Sequence, residues 1–148
     1  MTGYGQALLL ENSAWARLLD GRLADSAREK LETALAIGEL WTCPPTVLQM
    51  RYSAREDDQF AALARELDAL PHAPLDATAS VLALTAQAEL AATAGVSHRV
   101  KPVHLLIASI AATQNLGVLH YDRDYDTIAE HTSLSFASVW AAPRGSIG

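Results

Sequence analysis

The chain has 148 residues, half of them hydrophobic and 19% charged, with a formal net charge of −6. This length fits one domain, expected to span residues 1–148, with enough chain to bury a core, and the balance excludes a disordered or fibrous polypeptide. No apolar run approaches the roughly 18 residues of a membrane span, and residues 1–6 lack the basic region of a secretory signal, so a cytoplasmic protein that does not enter membranes is expected.

The first predicted element is a strand. Ala7-Leu8-Leu9-Leu10 is a short continuous apolar run of the kind found in buried parallel strands. Asn12 or Ser13 is the expected N-cap of a helix carrying apolar residues over 14–19. A clearer helix covers 25–37, with Ala27, Leu31, Ala34 and Leu35 on one face and Gly38 at its C-terminal stop. Leu40 to Cys43 reads as a second short strand, halted by Pro44-Pro45, with a helix restarting over 46–53. An amphipathic helix over 56–70 carries the stripe Phe60, Leu63, Leu67, Leu70, and Pro71 and Pro74 end it. A long alanine-rich helix covers 76–94, stopped by Gly95.

A polar, basic loop follows over 97–102. The segment 103–114 is apolar nearly all round and should be a buried helix. Val118 to Tyr121 reads as a third strand, 125–131 as a last helix, and 136–142 as a last strand. Strands alternating with helices imply an α/β sandwich on a mostly parallel sheet. Ligands of such sheets bind beyond the carboxyl ends of the strands. Two polar clusters fall there: Glu11-Asn12-Ser13 and Asp122-Arg123-Asp124.

Asp122, Asp124 and Asp126 alternate. They can share one cation if the loop curls around it, or they can cap the helix that follows. Glu11 ends a buried strand, where a carboxylate serves as ligand, general base or solvated strand end. His104 opens an apolar helix, either as a hydrogen-bonded buried residue or as a proton-transfer group. The remaining histidines are scattered and none has helical zinc spacing. Residues 97–101 with Arg123 can line a mouth that binds phosphate, or form ordinary surface charge. Trp15, Trp41 and Trp140 are too spread in sequence to suggest a stacking platform, and Cys43 is expected to be a buried structural thiol. The acidic total lacks the basic stripe of a nucleic-acid binder, although local patches outweigh the sum. It suits a basic partner.

Four of these segments, in this order, resemble the motifs of PIN domains of the VapC ribonuclease-toxin type. They are Leu8 to Trp15, Cys43 to Arg55, Val100 to Ala108 and Leu119 to Asp126. Trp140 to Ser146 is similar to the tail of actinobacterial VapC-type proteins. The resemblance implies a three-layer α/β/α sandwich with a central mostly parallel sheet. It also implies a homodimeric toxin that cuts RNA with magnesium or manganese and is silenced by a VapB-type antitoxin. The family's metals sit on about four acidic side chains, because carboxylates hold the ions that activate water and neutralise the leaving oxygen.

At those positions the family's Asp, Glu and Asp are matched here by Glu11, Gln49 and His104, and only Asp122 stands unaltered, with Asp124 beside it. Magnesium prefers oxygen ligands. The leading expectation is therefore a repurposed, metal-independent acid–base enzyme acting on a small molecule in the old pocket. Glu11, His104 and Asp122 are its catalytic groups, and no cofactor is favoured. Asn12, Ser13, Gln49, Tyr52, Arg123 and Asp124, on the same motifs, are expected to contact the substrate. The alternative is a magnesium- or manganese-dependent endoribonuclease toxin whose reduced site is Asp122, Asp124 and Glu11. A third reading is an inactive module that binds RNA or an antitoxin.

Overall fold

The computed structural model describes residues 2–147. Four parallel strands form one sheet in the order β2-β1-β3-β4: β1 (Leu8–Leu10), β2 (Leu40–Trp41), β3 (Gly117–His120) and β4 (Ser138–Trp140). Leu9 pairs with Trp41 on one side and with Val118 on the other, and Leu119 pairs with Val139. The helices are α1 (Asn12–Leu19), α2 (Asp25–Ala36), α3 (Pro44–Tyr52), α4 (Asp57–Asp68), α5 (Ala77–Ala92), α6 (Pro102–Gln114) and α7 (Asp124–His131).

Alternation along β1 sets the layers, since successive strand side chains face opposite sides. Leu8 and Leu10 pack with Ala14, Trp15, Leu31, Met50 and Leu67 of α1 to α4. Leu9 packs on the other face with Ala79, Ile107, Ile110 and Tyr125 of α5 to α7. All three leucines are fully buried. The result is the expected α/β/α sandwich, and α6 is buried along most of its length. Among the described residues no helix is long and apolar enough to cross a membrane.

Several boundaries differ from the sequence expectation: β2 stops at Trp41 rather than Cys43 and β4 covers Ser138–Trp140 rather than 136–142, and two others have a clear cause. Helix α3 begins at Pro44, two residues early, because proline is well suited to the first turn, where its missing N–H costs nothing. The cap of α1 is Glu11, with its carboxylate accepting from the Ser13 N–H. It takes the place expected for Asn12 or Ser13, both of which lie inside the helix. Cys43 is fully buried, as its type suggests.

Gly117 starts β3 where the chain is closest to its neighbours. A Cβ there would lie 2.6 Å from Leu8 Cδ2 and 3.0 Å from the Ala137 carbonyl oxygen. Gly117→Ala is accordingly expected to cost about 1–3 kcal/mol by overpacking. A urea melt reads this directly, and an unchanged midpoint would show that the strands part at little cost.

Candidate functional site

Backbone pairing brings the chemistry to the carboxyl edge of the sheet. The Glu11 N–H donates to the Leu119 carbonyl at 3.0 Å, and the Tyr121 N–H donates to Ser13 Oγ at 2.7 Å. These bonds hold the end of β1 beside the end of β3. The first turns of α6 and α7 bring His104 and Asp124 to the same place.

His104 is the centre. Its Nδ1 lies 2.8 Å from Asp124 Oδ2 and 4.0 Å from Asp122 Oδ2, and its Nε2 lies 3.6 Å from Glu11 Oε2. His104 and Glu11 are deep, at 4% and 1% exposed, while Asp122 and Asp124 reach solvent at 26% and 21%. Both Glu11 oxygens are engaged: one accepts from the Ser13 N–H and the other from the Tyr125 hydroxyl at 2.9 Å. Asp124 Oδ2 also accepts from the Lys101 N–H at 3.2 Å, and Asp122 Oδ1 accepts from the Asp124 N–H at 2.9 Å. Among the described residues this leaves Asp124 Oδ1 and Asp122 Oδ2 without a hydrogen-bond donor.

Tyr125 is a site residue that sequence reasoning missed. It is fully buried between two imidazoles, with ring centroids 4.9 Å from His104 and 4.8 Å from His120. Burial, and then the adjacent Glu11 carboxylate, push its hydroxyl well above the ordinary tyrosine range. It therefore remains a donor to Glu11. A tyrosine between two aspartates gives little sequence signal, but its position on the inward face of an amphipathic turn was available.

The three alternating aspartates do not converge. Asp126 turns away, accepting from the Ser138 hydroxyl at 2.7 Å and from Trp140 Nε1 at 3.0 Å. Two residues on a helix are about 200° apart, so α7 cannot aim Asp124 and Asp126 at one point. The other expected contact residues are dispersed. Asn12 and Ser13 open α1, Gln49 lies on α3 with its amide oxygen buried and unpartnered, and Arg123 is exposed. Tyr52 stands 92% exposed at the end of α3.

His120 braces the site from below. Its Nδ1 accepts from the Asp122 N–H at 3.0 Å, so its proton sits on Nε2, facing Ser138 Oγ at 2.7 Å. Burial lowers its pKa from 6.5 to about 4, against smaller opposing pulls from Asp126 and Asp122. A lowered folded pKa means that this stabilisation is complete above about pH 6.5 and is lost as pH falls toward 4. The unfolded chain binds the proton first. The loss is about 3 kcal/mol. Urea melts in chelator at pH 7.5 and pH 4.5 should show it in the native chain and a flatter profile in His120→Asn. Equal slopes would contradict it.

The donor atoms of His104, Asp122 and Asp124 lie within 4.8 Å of one another. Two carboxylates supply the charge that balances one divalent ion, not two. The imidazole suits an ion that tolerates nitrogen better than magnesium does. For ligation His104 would present the Nδ1 lone pair and carry its proton on Nε2, which faces Glu11. Ligating histidines usually donate the remote N–H to a carboxylate; Glu11 Oε2 stands 3.6 Å from that nitrogen, facing it but beyond hydrogen-bond distance. The residues thus fit a single ion held by His104, Asp122 and Asp124, with Glu11 facing the remote nitrogen, and do not fit a magnesium pair.

Comparison with known proteins agrees with this architecture. The family model described as PIN domain matches residues 8–131. The chain is 34% identical over 139 residues to Ribonuclease VapC18 of Mycobacterium tuberculosis, covering 93% of this chain and 97% of that protein. It is 34% identical over 124 residues to Ribonuclease VapC17 of the same species, covering 82% and 86%. Among solved structures, a chain of the DNA-bound VapBC complex of Salmonella typhimurium superposes with a TM-score of 0.70 at 15% identity, over 93% of this chain and 99% of that one. A chain of the VapBC-5 structure of Mycobacterium tuberculosis gives 0.59 at 23% identity, over 90% and 98%. The sheet order, the site at its carboxyl edge and the match over most of the chain lead to one conclusion: this protein belongs to the PIN-domain family and is of the VapC ribonuclease-toxin type.

Proposed function

We propose that the chain is an endoribonuclease toxin of a VapBC-type pair, working with one divalent ion, manganese in preference to magnesium, at His104, Asp122 and Asp124. The observation that carries this is the orientation of His104, with Asp122 and Asp124 on Nδ1 and Glu11 on Nε2. When bound, such an ion supplies Lewis acidity to the phosphodiester and to water. The protein's part is positional. Glu11 and Tyr125 flank the imidazole, and the Asp124 N–H fixes Asp122. Relatives named as ribonucleases over almost the whole chain support RNA as the substrate. The VapBC neighbours support a VapB-like antitoxin as partner, and a homodimer is the expected free form.

The 2.8 Å contact between His104 and Asp124 favours a second reading. In it the imidazole itself takes the ion's place, and the site is a metal-free acid–base centre for a small molecule. The depth of Glu11 and His104 argues against it, because a substrate would have to reach groups almost sealed from solvent. RNA cleavage assayed with manganese, with magnesium and with chelator separates the readings. The ion-dependent reading predicts cleavage with manganese, weaker cleavage with magnesium and none with chelator. Cleavage insensitive to chelator but lost in His104→Ala would establish the metal-free reading. RNA bound but never cut would make the chain an inactive binding module.

A further inference from the structure

We infer that single-stranded RNA runs from the carboxylate site across an aromatic and cationic strip formed by Arg17, Tyr121, Trp140 and Arg144, ending at the cleft beside Tyr4 and Lys30. This rests on the reading of the chain as RNA-directed, and it places the strand on one particular face.

The strip begins at the site, since Tyr121 directly precedes Asp122. The Arg17 guanidinium lies over the Tyr121 ring, 4.6 Å from its centroid, and is steadied by a 3.1 Å bond from Nη1 to the Ser13 carbonyl. Tyr121 meets Trp140 edge to face at 5.3 Å, and Arg144 lies 5.8 Å over Trp140. Beyond Trp140 opens a cleft of about 370 Å³ whose walls include Tyr4, Lys30, Trp140 and Pro143. There the Lys30 ammonium sits 4.9 Å from the Tyr4 ring.

Two features point to a strand of nucleotides. Arg17, Lys30 and Arg144 have no carboxylate within ion-pair reach among the described residues, in a chain of net charge −6. Among the described residues only Arg22 and Arg28 of the Lys and Arg side chains pair with a carboxylate, so what marks these three is their succession along one line of rings. Each of the three is held against an aromatic ring. Cations for the backbone alternating with rings for the bases is the arrangement that binds single strands without reading sequence. Trp140 appeared isolated in sequence. Pairing of β3 with β4 sets it beside His120 and hence next to Tyr121.

The test is a salt titration of binding to a fluorescein-labelled unstructured oligoribonucleotide of roughly 12 nucleotides, in chelator so that nothing is cut. Each lost phosphate contact lowers the slope of log affinity against log salt by about 0.7 for a single strand. Arg17→Gln with Arg144→Gln should therefore flatten the slope by about 1.4. Lys30→Gln with Arg144→Gln, which touches only exposed side chains, should do the same even if loss of Arg17 disturbs α1. Arg65→Gln, an exposed cation of α4 outside the strip, should leave the slope within about 0.2 of the native value. Native binding with unchanged slopes in both double variants would overturn the strip and leave the ribonuclease reading standing. Native protein that neither binds nor cuts RNA would overturn that reading and the strip with it.

Discussion

His104→Asp is expected to convert the site from manganese-preferring to magnesium-accepting, and to make the metal-free protein less stable by about 3 kcal/mol. The imidazole now lies between Asp124, at 2.8 Å, and Glu11, at 3.6 Å, and is 4% exposed. Replacing it with a carboxylate removes the 2.8 Å hydrogen bond to Asp124 and adds an anion. Glu11, Asp122, Asp124 and the new side chain would then share a small, partly dry volume. Breaking a buried charged arrangement from one side typically costs 3–5 kcal/mol, and the lower end applies here because Asp122 and Asp124 reach water. An ion that binds only the folded state returns stability by mass action, about 2.7 kcal/mol at a hundredfold excess over its Kd. Thermal melts of the variant in chelator, then in magnesium, should therefore fall and recover. The native protein should respond to manganese more than to magnesium. A variant that melts like the native chain in chelator would show that a fourth carboxylate is accommodated there without cost.

Glu11→Ala should be as damaging to folding as His104→Asp, lowering stability by about 3 kcal/mol. The carboxylate caps α1, and loss of a cap costs about 1 kcal/mol. It is also the acceptor for the fully buried Tyr125 hydroxyl, and an orphaned buried donor costs about 1–3 kcal/mol. At 2–4 °C per kcal/mol in a chain of this size, Tm should drop roughly 6–12 °C. Glu11→Gln should fall between, because one amide oxygen can serve either Ser13 or Tyr125 but not both. Calorimetric scans in chelator decide the order. Equal Tm values for Glu11→Ala and the native chain would mean that the carboxylate is strained rather than supportive.

The layers were legible because Leu8-Leu9-Leu10 could only be a buried strand and the helices between strands had clear faces. Asp76 was read correctly as opening α5, where its carboxylate accepts from the Ala79 N–H at 2.8 Å. The cap of α1 was not, because glutamate is a weak cap by type and acts as one here through tertiary support from Tyr125. Placement of Glu11 and Asp122 at one edge followed from the order of strands and helices, whereas His104 joined them only through the resemblance to the PIN motifs. The division of labour among the aspartates did not, because it depends on which side of α7 each one faces. Asp124 meets His104, while Asp126 anchors Trp140 and Ser138. His120 is recognisable only once β3 and α7 are packed together, and the inward position of Tyr125 on α7 does not by itself place it against Glu11. The Arg17–Tyr121–Trp140 contact joins segments more than a hundred residues apart in the chain, with no local pattern to announce it.

The central claim is a one-ion site, and manganese titrated calorimetrically into chelator-stripped protein tests it most directly, with magnesium and Asp122→Asn alongside. One manganese bound per chain in the micromolar range, clearly weaker magnesium, and loss of the manganese signal in Asp122→Asn are expected. No heat at millimolar manganese, or equal binding by Asp122→Asn, would contradict it.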